Sequence, residues 1–177
     1  MLTGSLYNGE QLPEYIFDKK VSGYVFIDFD VVFSGPFWAL FKEYLLKNSC
    51  QKITIKNLKP ELFSFSEEIS TKELPDSFLA STCKEKPQDY IKGDASFYML
   101  TEQGLIYSEE NKPLFCLFLH REYTLGILGF SNSADVNTFN EYSIKNINDF
   151  LVESFVKIEM LNFRAKFNQN WKLNTLN

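Results

Sequence analysis

A chain of 177 residues with 45% hydrophobic residues, 18 phenylalanines and a net charge of −5 can bury a sizeable core within a single domain. Its acidic balance argues against general attraction to nucleic-acid phosphates and suits a basic protein partner. An odd number of cysteines, 3, argues against a disulfide framework and favours a reducing compartment.

The N-terminal stretch "MLTGSLYNGEQLPEY" lacks the basic start and long apolar core of a signal peptide. No apolar run approaches the ~20 residues of a transmembrane helix. The expected location is therefore cytoplasmic, with no membrane partner.

The first predicted element is a strand over Gly23–Phe33. Val25, Ile27, Phe29, Val31 and Phe33 alternate onto one face, and Tyr24, Phe26, Asp28, Asp30 and Val32 onto the other. Two carboxylates on one face supply hard oxygen ligands, which makes Asp28 and Asp30 weak candidates for a divalent metal site. "DFDVV" also resembles the first motif of haloacid-dehalogenase-type phosphatases. That resemblance implies a metal-dependent phosphatase or transferase, with Asp28 as nucleophile and Asp30 as acid/base. The chemistry also requires a later acidic pair, but Asp94 stands alone and Glu109–Glu110 sits in a connection. The expectation is therefore no catalytic residues, no resident metal and no cofactor, with Asp28 and Asp30 on a partly solvated strand face.

Ser34-Gly35-Pro36 breaks the strand, with serine suited to cap a helix and proline tolerated in its first turn. Phe37, Leu40, Phe41, Tyr44 and Leu45 then recur at the spacing of one buried helical face. "KITIKNL" follows with strict alternation and reads as a strand. Residues 24–58 thus form a predicted β-α-β unit with parallel strands. The segment "VFIDFDVVFSGPFWALFKEYLLKNSCQKITIKNLKP" resembles the central part of STAS-type domains, in which a strand ends in a Ser-Gly step before a helix. The resemblance implies that Ser34 could be a phosphorylation switch, where the helix N-terminus would stabilise the added charge. The chain departs from that pattern at Phe33, where the family usually carries Asp, and at Pro36.

Residues 59–95 give the weakest signals. "PELFSFSEEI" reads as a short helix, and proline-bearing charged connections follow, so a division near residues 70–90 would separate a β-α-β portion (1–75) from the remainder (90–177). From Ser96 four apolar runs, "SFYML", "LIYS", "LFCLFL" and "YTLGILGF", read as an antiparallel meander. Thr101–Gly104 joins the first two, and a turn at His120-Arg121-Glu122 joins the last two. His120, the single histidine, is expected in that solvated turn. Gly126 and Gly129 suggest a bulge or a close approach of another group. "PLFCLFLHREYTLGILGFSNSADVNTFNEYSIKNINDFL" resembles the end of GAF-type sensory domains, which implies a small-molecule pocket between sheet and loops.

A long C-terminal helix is predicted over 144–168. Ile147, Phe150, Leu151, Phe155, Ile158 and Leu161 form one stripe, and Val152, Val156, Met160, Phe163 and Phe167 a second. The second stripe is the candidate interface, either for a partner or for a homodimer through this helix.

The expected architecture is α+β: an N-terminal β-α-β portion, then an antiparallel meander closed by the long helix, together one domain over 1–177. The expected function is a non-enzymatic protein-binding module that neutralises or regulates a cognate basic protein. In general type it resembles small acidic immunity proteins and antitoxin-like inhibitors of bacteria, or a STAS-like regulator. The alternative is a GAF-like ligand sensor.

Overall fold

β1 (Gly23–Asp28) stops five residues short of the strand expected from alternation, because Asp28 turns the chain. Its carboxylate accepts from the backbone N–H groups of Asp30 at 2.8 Å and Val31 at 3.3 Å. This caps a single helical turn, α1 (Phe29–Val32). Asp28 and Asp30 are therefore not successive ligands on one strand face; one caps the turn that carries the other. The computed structural model describes residues 6–59, 66–74, 101–108, 113–154 and 159–171.

Ser34 caps α2 (Gly35–Lys47), its Oγ accepting from the Phe37 N–H at 3.4 Å, with Pro36 in the first turn. The apolar stripe faces inward as its spacing requires: Phe37, Phe41, Tyr44 and Leu45 are buried, joined by Trp38. The helix ends at Asn48 and Ser49, the latter in the left-handed region at φ 56°.

β2 (Lys52–Lys59) follows. β3 (Ser66–Ser70) is a strand, where the end of a short helix over "PELFSFSEEI" was expected; residues 60–65 of that run lie outside the described residues. It pairs antiparallel with β2, setting Ile69 opposite Ile53, and this cross-strand partner outweighs a weak local preference. β4 (Gln103–Tyr107), β5 (Phe115–His120) and β6 (Leu125–Phe130) form the expected antiparallel meander. Gln103 and Gly104 belong to β4 itself rather than to a joint before it. The run "SFYML" lies outside the described residues.

All six strands form one sheet in the order β1-β6-β5-β4-β2-β3, every neighbouring pair antiparallel. Strands from both sides of the expected division near 70–90 thus share that sheet. β1 and β2 run in the same direction, as a β-α-β crossover demands, but they are not neighbours, since β6, β5 and β4 lie between them. The meander fills the gap the crossover leaves.

Each face of the sheet carries a core. On one, α2 packs with Val25, Ile27, Ile55, Ile106, Leu117 and Leu128. A 3-10 segment, Ser133–Tyr142, closes this side through Phe139, whose ring meets Phe37, Phe41, Tyr44 and Phe130. The Tyr44 hydroxyl donates to the Asp135 carboxylate at 2.9 Å, and burial with that bond pushes the phenol well above its ordinary range. On the opposite face the residues are Phe26, Leu105, Phe118 and Ile127, covered by N-terminal residues and the C-terminal helices.

The single long C-terminal helix is corrected to two. α3 (Ile147–Ser154) and α4 (Glu159–Asn170) return on one another, with the Asn168 side-chain amide donating to Asn148 Oδ1 at 2.8 Å. In one continuous helix, residues 20 apart would sit about 30 Å apart. The two stripes are therefore the inward faces of two helices with separate phases: Ile147 and Leu151 on α3, Phe163 and Phe167 on α4.

Candidate functional site

The strand pairings arrange the second sheet face in three rows running across the strands. Tyr24, Gly129, Cys116, Tyr107 and Thr54 form the first, and Phe26, Ile127, Phe118, Leu105 and Lys56 the second. The third, at the end of the sheet where β1, β2 and β5 finish, reads Asp28, Leu125, His120, Gln103 and Lys59. Four of its five members are polar. A polar row on an otherwise largely apolar face is costly unless its groups are paired.

His120 is buried at 6% exposure, so it is a sheet residue and not the solvated turn residue expected from its neighbours. Its ring stacks on Tyr123 at 4.1 Å between centroids and 16° between planes, and Phe163 from α4 covers Tyr123 at 4.4 Å. Gln103 Nε2 lies 2.9 Å from His120 Nε2. With the amide nitrogen donating, the imidazole accepts at Nε2 and carries its proton on Nδ1. Nδ1 is buried without a hydrogen-bond partner. Burial pushes the imidazole pKa down to about 4, and the Lys59 charge acts in the same direction. Lys59 Nζ in turn donates to Gln11 Oε1 at 3.2 Å.

The depressed value gives a pH prediction. The unfolded chain takes up a proton near pH 6.5 and the folded chain only near pH 4, so stability is lost as pH falls through that window and levels off below it. The loss attributable to this one group is at most about 3 kcal/mol. Urea unfolding of wild type and His120→Gln between pH 7 and 4 should show a steeper decline for the wild type. Parallel curves would show that His120 does not titrate this way.

The turn after His120 carries strain and charge. Thr124 adopts φ 47°, a left-handed conformation that a β-branched residue rarely takes. Its N–H donates to the Arg121 carbonyl at 2.8 Å, and its own carbonyl accepts from the Phe29 N–H at 2.8 Å, tying the turn to α1. The Arg121 guanidinium lies 4.9 Å from the Phe29 ring centroid, and its Nε donates to the Thr101 carbonyl at 2.9 Å. The Arg121 N–H donates to the Glu102 carbonyl at 2.8 Å. Three segments distant in sequence thereby meet at one end of the sheet, bringing Asp28, Asp30, Glu102 and Glu122 to it. Asp30, Glu102 and Glu122 are exposed, and Asp28 is half-buried.

Of the residues singled out from the sequence, Asp28 and Asp30 thus sit at this end, where four carboxylate residues outnumber the cations Lys59 and Arg121. Among the described residues, no group of three or more His, Cys, Asp or Glu side chains is placed to hold a metal ion. Ser34 is partly buried at the opposite end of α1, engaged as the α2 cap. The expected interface is corrected at two positions: Phe163 and Phe167 are buried at 8% and 0% exposure against the chain's own sheet, where the separate phase of α4 directs them. Val156 and the side chains of Val152 and Met160 lie outside the described residues. Cys50 and Cys116 are buried, and neither forms a disulfide. Sequence reasoning missed Glu102, Glu122 and Thr124, whose convergence depends on strand register that no local pattern reports.

Among the described residues no helix is long and apolar enough to cross a membrane. No family model, no curated protein and no solved structure matches the chain.

Proposed function

We propose that the chain is a non-enzymatic protein-binding module that docks a basic protein at its acidic sheet end, acting as an inhibitor or regulator of that partner. The observation that carries this reading is that the segments bearing Asp28, Asp30 and Glu102 are tied by backbone hydrogen bonds to the strained Arg121–Thr124 turn, which itself carries Glu122. An excess of carboxylates along one sheet end gives a basic partner electrostatic steering and helps set its register. The reading is supported by the structural duties of three residues singled out for chemistry: Asp28 and Ser34 cap helices, and the buried His120, its pKa lowered by burial, stacks on Tyr123. The net charge of −5 adds a long-range bias in the same direction.

The triple reversal Asp30→Lys, Glu102→Lys and Glu122→Lys tests the proposal, because all three side chains are exposed and the variant should fold. Wild-type protein should draw a stoichiometric basic partner from extracts of its native host, in a complex that weakens with salt. The triple variant should lose that partner while keeping the wild-type unfolding midpoint. Equal capture by both proteins, or no stoichiometric partner for the wild type, would overturn the reading.

A further inference from the structure

The first of the side-chain rows is covered by two segments from opposite ends of the chain, and they hold each other. Trp171, immediately after α4, is 2% exposed. Its ring meets Tyr15 at 4.9 Å and Phe17 at 5.8 Å from the N-terminal segment, and Tyr24 at 5.1 Å and Phe26 at 5.5 Å from β1. Beside it, the Asn170 side-chain amide donates both to the Pro13 carbonyl at 3.2 Å and to the Glu14 carboxylate at 2.9 Å. Phe17 also rests directly on β6: a Cβ added to Gly129 would lie 2.7 Å from its ring, so the glycine forms the notch in which that ring sits. Tyr7 stacks on Phe118 at 6.0 Å.

The hydrogen bonding of these segments differs in kind from that of the sheet. Residues 6–18 bond among themselves, through Asn8 N–H to the Ile16 carbonyl at 3.0 Å and Asp18 N–H to the Leu6 carbonyl at 2.7 Å. To the strands they are tied through side chains: Phe17 in its notch, Tyr7 on Phe118, and Gln11 to Lys59 at 3.2 Å. α4 likewise reaches β1 through the Tyr24 hydroxyl, which donates to the Trp171 carbonyl at 2.9 Å. β5, by contrast, is laddered to β4 on one side and β6 on the other. An element that crosses to its neighbours by side chains alone can detach without breaking a ladder, and so opens at lower free energy than the strands beneath.

We infer that residues 6–18 and α4 form one clasp over the second sheet face, a conformational device whose two arms open together and uncover Tyr24, Phe26 and Phe118 while the sheet stays folded. The coupling follows from Trp171: it fills space between the arms and β1, so withdrawing either arm removes apolar partners from the other. A strap of this kind keeps an aromatic sheet face covered in the closed state and releases it in a single step.

Hydrogen exchange on the full chain tests this by perturbing one arm and reading the other. Phe163→Ala acts on α4, where Phe163 meets Tyr123 and Phe167, and its effect is read at the amides of Asn8 and Asp18. Gly129→Ala displaces Phe17 of the N-terminal arm, and its effect is read at the Trp171 amide, which donates to the Phe167 carbonyl. In each variant, exchange at the opposite arm should rise about tenfold or more while β5 amides stay within about twofold of wild type. Acceleration confined to the perturbed arm would show that the arms open independently. Equal acceleration in β5 would show that no opening precedes global unfolding. Either result, or no acceleration at all, overturns the inference.

Discussion

Phe41→Ala should lower the unfolding free energy by about 3–5 kcal/mol, the range for truncating a buried phenylalanine. Phe41 is fully buried and is the point at which three elements of the first core meet. Within α2 its ring neighbours are Phe37 at 5.9 Å, Trp38 at 5.3 Å and Tyr44 at 6.4 Å. From β5 it receives Phe115 edge-on, at 4.9 Å and 87°, and from the 3-10 segment Phe139 at 6.1 Å. Because these rings are fixed by a sheet, a helix and a second segment at once, the space left by alanine closes poorly, which places the cost toward the upper part of the range. Leu46→Ala on the same helix is the matched control: Leu46 is 51% exposed, and its truncation should change stability by less than about 0.5 kcal/mol. Urea midpoints at constant slope measure both. A Phe41→Ala loss below about 1 kcal/mol would mean that α2 is not seated on the sheet by this ring.

Phe41 also marks what the sequence makes plain. Its spacing with Phe37, Tyr44 and Leu45 is a local property of a 3.6-residue period, and so are the Ser34 cap and the Pro36 first turn. The meander was legible for the same reason, since β4, β5 and β6 are close in sequence and joined by short connections. Three features were not. Alternation ran through Phe29 to Phe33 because a helical turn of four residues is too short to impose its own period, and the Asp28 cap decides the matter by two hydrogen bonds. β3 was mistaken for a helix because its evidence is the partner strand β2, not its own residues. The third side-chain row, with His120 between Leu125 and Gln103, exists only once the register of five strands is set. His120 looked solvated beside Arg121 and Glu122, yet its burial depends on Tyr123 and Phe163, the latter 43 residues away by their numbers. The candidate docking end has the same origin: Asp30, Glu102 and Glu122 are unremarkable charges until the sheet order places their segments together.

The C-terminal helices give the second large effect, and here the structure reverses the expectation from periodicity. A stripe running through Phe163 and Phe167 on one long helix would be a surplus face, and an aspartate in it would weaken association more than folding. With α4 turned back on α3, Phe167 is fully buried, stacked between Phe163 at 5.7 Å and Trp171 at 5.4 Å and tilted against Phe26 of β1 at 5.6 Å. Phe167→Asp therefore removes a ring worth about 3–5 kcal/mol and sets a carboxylate among aromatic side chains that offer it no cation. Neutralising that carboxylate instead of pairing it still leaves a buried polar group with a penalty of its own. The combined loss should exceed about 5 kcal/mol, comparable with the whole stability of many single domains, and the variant should be largely unfolded at 25 °C. Lys166→Asp, one residue earlier and exposed, changes charge in the same direction and should leave the unfolding midpoint nearly unchanged. Near-ultraviolet circular dichroism with size-exclusion chromatography separates the two accounts. Loss of the aromatic signal in Phe167→Asp, with Lys166→Asp native, is the result of burial in the chain's own core. A folded Phe167→Asp that differs from wild type only in oligomeric size would return this stripe to the surface and dissolve the fold-back of α4.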